Sequence, residues 1–296
     1  MPVLKRILVA TDLSAAGKRA VMRAGQLAQQ WEANLFLTHV RPDWNLFSRW
    51  PPALQNGYQD VAHSSETPLR LTLAELESRF GVHARCDSRL GKASNVIAAL
   101  VAELEPHVLV IGARGEHEVC APGPSLGGTA MKLLARVETP ILLVRRDSDT
   151  RYASAVVAVD APGPLSRREV LWGSGLVGDG DCHVVHAYDV PYVERMRLQE
   201  IDEAVVQGRM RQAEEAAIVS VRDLLGAAEG HAKLHTHAVC GEPVCVVLSE
   251  VGRVPTELLV IGKREPPAPH APHGGMGGVG FRIAYHAPTD VLVLSS

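Results

Sequence analysis

The sequence predicts an α/β protein of two tandem domains, each a doubly wound parallel sheet of five strands, related by a pseudo-twofold axis. One observation is an internal repeat, in which each half has an aspartate and, later, a glycine that follow apolar runs. These residues are Asp12 and Gly112 in the first half and Asp160 and Gly262 in the second. The other is that Val-, Ile- and Leu-rich runs alternate with amphipathic stretches, which is typical of parallel strands joined by crossover helices. At 296 residues the chain divides naturally into domains 1–148 and 149–296.

The elements of the first domain follow from this alternation. Strands are predicted near residues 6–11, 34–40, 82–88, 107–112 and 140–145, and helices near 14–30, 66–80, 92–104 and 127–138. The second domain repeats the order, with a long polar helix from about residue 193 to 226. Right-handed crossovers then place any ligand at the carboxyl ends of the strands, where strand order reverses.

Composition excludes several classes of function. A net charge of -3, with 46% hydrophobic and 21% charged residues, argues against disorder and against a nucleic-acid partner. Lys5 and Arg6 precede only four apolar residues, too few for a signal peptide or a membrane span, so a cytoplasmic protein without a membrane partner is expected. Five cysteines without a CxxC pair indicate neither a disulfide framework nor a zinc ribbon.

Two glycine clusters in the first domain are candidates for phosphate binding. Gly112, Arg114 and Gly115 follow a predicted strand, while Gly127, Gly128 and Thr129 open the next helix. Glycines let backbone N–H groups approach an anion closely, and a helix start adds its positive dipole end. The alternative is that these glycines only form tight turns. The pattern is neither a P-loop nor the dinucleotide fingerprint.

With these motifs the chain resembles the universal stress protein family along nearly all its length. The matching residues are Asp12 in TDLS, Val40 in THVRP and the pair Gly112 and Gly115. The resemblance implies an adenine nucleotide alpha hydrolase-like fold that binds ATP, with or without Mg²⁺. It implies adenine and ribose contacts around Thr11, Asp12 and Val40, an approach of Gly91 to the ribose and phosphates, and phosphate contacts along the glycine motif.

The sequence departs from the family pattern at two places. Eleven residues, rather than nine, separate Gly115 from Gly127. In the second domain Glu265 replaces the second motif glycine and Val279 replaces the hydroxyl residue, so ATP binding is expected to be weak there. A proline-rich segment at 265–276 follows, interpreted as a rigid surface segment or docking site.

Other residues have plainer explanations. His39 and His186 end the second strand of each domain, and a satisfied strand histidine is favoured over a ligand contact. His270 and His273 lack a third nearby ligand, and Cys240 and Cys245 fit no redox motif. Four aromatic residues gather in segment 42–65, interpreted as a lid on the core rather than an interaction patch.

Three functional hypotheses follow. The first is a nucleotide-sensing stress protein whose first domain binds ATP and changes a surface read by a protein partner. The second is a nucleotide-independent scaffold or small-molecule carrier. The third is slow ATP hydrolysis or self-phosphorylation, for which no base or nucleophile can be named. Family dimers further imply that residues 141–144 and 291–294 pair as an intramolecular pseudo-dimer, with association of whole chains into a homodimer left open.

Overall fold

A computed structural model describes most of the chain as two compact units, residues 4–151 and 152–295. The described residues are 4–41, 66–114, 125–147, 150–160, 163–225, 232–263 and 278–295. The aromatic segment 42–65 and the proline-rich segment 265–276 lie outside them, so the interpretations of both segments stay predictions.

The first unit contains five parallel strands in the order β3-β2-β1-β4-β5. The strands are β1 (Arg6–Thr11), β2 (Asn34–Arg41), β3 (Arg85–Leu90), β4 (Val108–Gly112) and β5 (Ile141–Val144). The helices are α1 (Ala15–Trp31), α2 (Glu66–Phe80), α3 (Ala93–Leu104) and α4 (Gly128–Arg136). The predicted fold class is confirmed, and the third strand begins three residues later than predicted.

The two central strands of this unit are buried on both faces, as apolar parallel strands require. Ile7, Leu8 and Val9 in β1 are almost fully buried, and so is the run Val108–Ile111 in β4. Helices α1 and α2 pack together on one face, where Gly25 lies against Leu76 and Phe80, while α3 and α4 cover the other. Strand order reverses between β1 and β4, and this fixes the position of the candidate site.

The second unit repeats the topology, with strands in the order β8-β7-β6-β9-β10. The strands are β6 (Ser154–Val159), β7 (Asp181–Tyr188), β8 (Lys233–Cys240), β9 (Leu258–Lys263) and β10 (Asp290–Ser295). The helices are α5 (Pro164–Val177), α6 (Val193–Leu198), α7 (Glu203–Leu225), α8 (Pro243–Arg253) and α9 (Gly278–His286). Helices α5 and α7 share one face, and α8 and α9 share the other.

The long helix predicted over 193–226 is wrong, because the chain forms two helices there. Helix α6 ends at Leu198, and Glu200 adopts a left-handed φ of 54° that no α-helix continues through. Asp202 then starts the next helix, its side-chain Oδ1 accepting a hydrogen bond from the Ala204 N–H at 2.8 Å. An aspartate directly before an amphipathic run is a signal for the start of a helix, and the polar composition of the segment hid this signal.

Within the described ranges, no helix is both long enough and apolar enough to cross a bilayer.

Candidate functional site

The candidate site of the first unit begins at the turn after β1. Asp12 is exposed there, and its Oδ1 accepts hydrogen bonds from the Ser14 N–H at 3.0 Å and the Ser14 hydroxyl at 2.5 Å. The Ser14 oxygen accepts from the Gly17 N–H at 3.1 Å and so caps α1. Among the described residues no group bonds Asp12 Oδ2, which leaves one carboxylate oxygen to accept from a ligand. Sequence reasoning missed Ser14, although a serine directly before a helix is a capping signal.

The carbonyl at the end of β1 is held by a histidine from β2. His39 is buried, and its Nδ1–H donates to the Thr11 carbonyl oxygen at 2.9 Å. His186 does the same in the second unit, donating from Nδ1 to the Val159 carbonyl at 3.1 Å. Because a carbonyl can only accept, both rings carry a proton on Nδ1. The prediction of satisfied strand histidines is confirmed, and both histidines fix the strand end beside the crevice.

Val40 and Gly91 lie on the β2 and β3 side of this edge. Val40 is half-buried near the end of β2, and the Gly91 N–H donates to the Arg41 carbonyl at 2.9 Å. Gly91 adopts a φ of 137°, a conformation that side-chain-bearing residues rarely adopt. The second unit conserves this turn at Gly241, whose φ is 150°. The backbone therefore needs a glycine here for the turn itself, whatever it does for a ligand.

Gly112 ends β4 directly beneath the first turn of α1. A Cβ atom at Gly112 would lie 3.0 Å from the Ala16 carbonyl oxygen and 2.9 Å from the Arg114 carbonyl oxygen. Strand β4 pairs with β1 so that Ile111 is opposite Ala10, which brings Gly112 alongside Thr11. A side chain would separate α1 from the strand end, so the glycine permits the close approach of backbone to backbone.

The start of α4 supplies free donors next to this strand end. The Gly127 N–H donates to the Ala113 carbonyl at 2.8 Å, which ties the helix start to the residue after β4. The first bond inside the helix runs from the Met131 N–H to the Gly127 carbonyl, so the N–H groups of Gly128 and Thr129 have no partner within the helix. Both residues are exposed, which makes this helix start suited to binding an anion.

The glycine motif is only partly described. Arg114 is half-buried directly after β4, whereas Gly115 lies outside the described residues together with the rest of 115–124. The chain resumes at Ser125, whose carbonyl accepts from Arg145 Nη1 at 3.0 Å. The structure thus brings Thr11, Asp12 and Gly112 together at the reversal of strand order and anchors the α4 start beside them. Val40 lies on β2, the strand next to β1, and Gly91 follows β3, the strand beyond it.

The second unit has the same strand ends, but different side chains lie beside them. Asp160 is exposed after β6, as Asp12 is after β1. A Cβ atom at Gly262, however, would lie 2.0 Å from Oε1 of Glu169, a residue of α5 that is only 3% exposed. Val279, in the first turn of α9, is exposed and offers no hydroxyl. Glu265, His270 and His273 lie outside the described residues.

In the parts of the chain that the structure describes, no three His, Cys, Asp or Glu side chains are grouped to hold a metal ion.

The first unit is thus a doubly wound α/β fold with an acidic turn and an exposed helix start at its strand-order reversal, the position at which folds of this class bind their ligands. The model of the universal stress protein family matches residues 4–145. The chain belongs to this family through its first half, and its second half repeats the same topology.

Solved structures similar to this chain extend the likeness to its full length. A universal stress protein from Archaeoglobus fulgidus DSM 4304 has a TM-score of 0.67 and 16% identity, with 98% of both chains covered. A protein of unknown function from Pseudomonas aeruginosa PAO1 has a TM-score of 0.61 and 17% identity, covering 99% of this chain and 92% of that one. At these identities the likeness shows the fold.

A universal stress protein solved in complex with cAMP is also similar, with a TM-score of 0.36 and 22% identity over 49% of this chain and 99% of that one. Comparison with curated protein sequences finds no match.

Proposed function

We propose that the first half of this universal stress protein binds an adenine nucleotide, ATP with or without Mg²⁺, and that the bound state alters a surface read by a protein partner. The observation that carries the proposal is the meeting of an acceptor and donors at one strand-order reversal. The acceptor is Asp12 after β1, and the donors are the N–H groups of Gly128 and Thr129 beside β4. Ligands of doubly wound sheets bind at this position.

The chemistry of these groups suits the two ends of a nucleotide. A carboxylate oxygen accepts from ribose hydroxyls or from an adenine amino group, and backbone N–H groups at a helix start bind phosphate oxygens. Gly112 keeps the floor between them free of side-chain atoms. Thr11 and Val40 line the adenine side in this proposal, and Arg114 adds positive charge near the phosphates.

The second half is proposed not to share this activity. The carboxylate of Glu169 lies against Gly262, at the place where Gly112 meets only backbone. A side chain that fills the space beside this strand end leaves a phosphate less room there than Gly112 leaves in the first unit. One nucleotide per chain is therefore expected.

The test is calorimetric titration of the nucleotide-stripped protein with ATP and Mg²⁺, with AMP and GTP as controls. One site per chain is expected, Asp12→Ala should abolish the heat of binding, and the matched variant Asp160→Ala should leave it unchanged. An equal loss in both variants would overturn the assignment to the first half.

A second variant separates ligand binding from the structure of the Asp12 turn. Gly128→Pro removes one N–H from the start of α4, in a position where a Cβ atom meets nothing within 4 Å and where proline is well tolerated. A hydrogen bond to a charged group contributes about 1.5–3 kcal/mol, so ATP affinity should fall about tenfold or more. Gly278→Pro at the start of α9 is the control and should change nothing.

The second candidate function is a nucleotide-independent scaffold. It is favoured by the hydrogen bond from the Gly127 N–H to the Ala113 carbonyl, because this donor is already used within the protein. If titration with ATP releases no heat and does not change the melting temperature, the result supports the scaffold function and excludes the nucleotide proposal. The cytoplasmic location and the stress role stay predictions under either function.

A further inference from the structure

Three histidines form a cluster at the start of β7 and β8 in the second unit. His183 of β7 lies opposite His235 of β8, and their rings stack with centroids 4.6 Å apart. His237, two residues further along β8, lies on the same face with its ring 5.3 Å from that of His183. The cluster is nearer the amino ends of these strands, whereas Asp160 and Gly262 lie at the carboxyl ends of strands of the same unit.

The hydrogen bonds of the cluster determine where its protons are. Arg253 Nη2 lies 3.2 Å from His237 Nδ1, and His237 Nε2 lies 3.1 Å from His183 Nδ1. An arginine can only donate, so His237 Nδ1 must accept, and the His237 proton must be on Nε2. That proton is donated to His183 Nδ1. The chain of bonds from Arg253 through His237 to His183 therefore requires both imidazoles to be neutral.

Charged groups approach the cluster from three elements. Asp181 of β7 accepts from His235 Nε2 at 2.9 Å, and Lys233 precedes the histidines on β8. From α8, Glu250 pairs with Arg253 at 2.5 Å and lies 3.8 Å from His237 Nδ1. The neighbouring strand β6 places the uncharged residues Ser154 and Val156 opposite Asp181 and His183, and helix α7 packs on the face of the sheet opposite α8.

These surroundings favour the neutral rings. Burial lowers the pKa of His183, and the nearby His235 and His237 lower it further. Burial also lowers the pKa of His237, against the opposing effect of Glu250. In the unfolded chain histidines bind protons near pH 6.5, whereas in the folded chain His183 and His237 bind them only at lower pH. The contribution of these two rings to the free energy of unfolding is therefore complete above about pH 6.5 and is lost as the pH falls below it.

The first unit has no counterpart of this chemistry. The repeat puts Phe36, Arg85 and Asp87 where the second unit has His183, His235 and His237. The Arg85 guanidinium lies 5.7 Å from the centre of the Phe36 ring, and Arg89 bonds both Asp87 and Glu103. None of these three positions carries an imidazole, so the first unit lacks at this edge the groups that would take up protons in the second.

We propose that the histidine cluster is a proton-responsive latch that holds the edge strand β8 to β7 and α8 at neutral pH and releases it in acid. A proton taken up on His237 Nδ1 turns that acceptor into a donor facing Arg253, so the bond from α8 to His237 is lost and a positive ring then faces the guanidinium. Glu250 Oε2 already pairs with Arg253 and lies 3.8 Å from His237 Nδ1, which is too far for a hydrogen bond. Only two ring nitrogens converge without a third ligand among the described residues, which favours a proton over a metal ion as the effector.

The test is hydrogen exchange of the backbone amides at pH 7.5 and pH 5.0, corrected for the intrinsic pH dependence of exchange. In the wild-type chain the protection of β8 amides should fall at least tenfold at pH 5.0, while β3 protection stays constant. In His237→Gln, a neutral amide can accept from Arg253 and donate to His183, so β8 protection should no longer depend on pH. His286→Gln, at the exposed end of α9 and outside the cluster, is the control and should behave as wild type.

A nitrogen-15 NMR titration of the wild-type rings keeps the proposal testable even if a variant folds poorly. His237 should carry its proton on Nε2 at neutral pH and gain a second proton below pH 6.5. A proton on Nδ1 at neutral pH, or equal pH dependence of β8 exchange in wild type and His237→Gln, would overturn the latch. Ring signals that shift with micromolar Zn²⁺ at pH 7.5 would overturn it in favour of a metal site.

Discussion

The crevices of the two units share a strand order and differ in the side chains that lie beside the strand ends. Both have the same strand order, a histidine that holds the end of the central strand, and a glycine that ends the neighbouring strand. Gly112 faces the backbone of α1, whereas Gly262 faces the Glu169 carboxylate. Duplication has thus kept the groups that position the strand ends, and the chemistry offered to a ligand has changed through a residue of the covering helix.

The burial of Glu169 makes the difference between the two crevices stronger. An ionised carboxylate is rarely buried without partners, since desolvation costs several kcal/mol. Glu169, at 3% exposure, is therefore part of a fixed internal arrangement rather than a mobile surface group. In the second unit a buried glutamate therefore lies against the strand end, whereas the strand end of the first unit at Gly112 meets backbone atoms.

The largest effect is expected from Gly112→Ala. The new Cβ atom would lie 2.9 and 3.0 Å from two carbonyl oxygens, which only a backbone shift can relieve. Overpacking of this kind costs about 1–3 kcal/mol, and the shift should also abolish ATP binding. The measurements are urea denaturation and calorimetric titration.

The matched variant is Gly262→Ala, whose Cβ atom meets side-chain atoms of Glu169 and Leu165 instead. Some stability should be lost, but ATP binding should be retained. If both variants lose ATP binding alike, the two crevices do not differ in the way described.

A smaller effect is expected from Tyr152→Phe, which acts on the second unit alone. The buried Tyr152 hydroxyl donates to Asp290 Oδ2 at 2.7 Å, where the repeat has Leu4 and Pro140 in the first unit. Loss of a buried bond to a charged group should cost about 1.5–3 kcal/mol in urea denaturation, with ATP affinity unchanged. Tyr188→Phe, whose hydroxyl has no hydrogen bond among the described residues, is the control. Equal stability of the two variants would show that the bond contributes nothing.

The smallest effect concerns the N-terminal cap of α3 in the first unit and of its counterpart α8 in the second. In the second unit the Glu242 side chain accepts from the Cys245 N–H at 2.9 Å, whereas Lys92 caps α3 with backbone alone. Both residues have the same extended conformation, so Lys92→Ser should add the missing bond and stabilise the first unit by about 1 kcal/mol. A urea midpoint that stays the same or falls would show that the cap geometry is not shared.

The sequence was informative wherever local pattern decides structure. The apolar runs of β1 and β4 predicted buried central strands within a residue or two, because burial on both faces demands such runs. Strand β3 was placed less well, since the edge run RCDSRL is mostly exposed and carries no apolar pattern. The break after Leu198 was missed because polar composition alone does not distinguish one amphipathic helix from two.

Long-range features of the sites could not be predicted. The repeat located Asp12 and Gly112, but it could not show that Glu169 reaches Gly262 from a helix more than 90 residues earlier. Nor could it assemble His183 with His235 and His237, because their contact depends on the register between β7 and β8. Such contacts are decided by tertiary packing and not by local spacing.

The joining of two crevices on one polypeptide has a consequence for how they evolve. In an assembly of identical chains every codon change appears in each copy, so both sites gain or lose a property together. Here the codon for Glu169 affects one crevice and leaves the other intact. A fused gene can therefore keep one copy under selection for its original ligand while the other acquires a new role, and the two are always made in equal amounts.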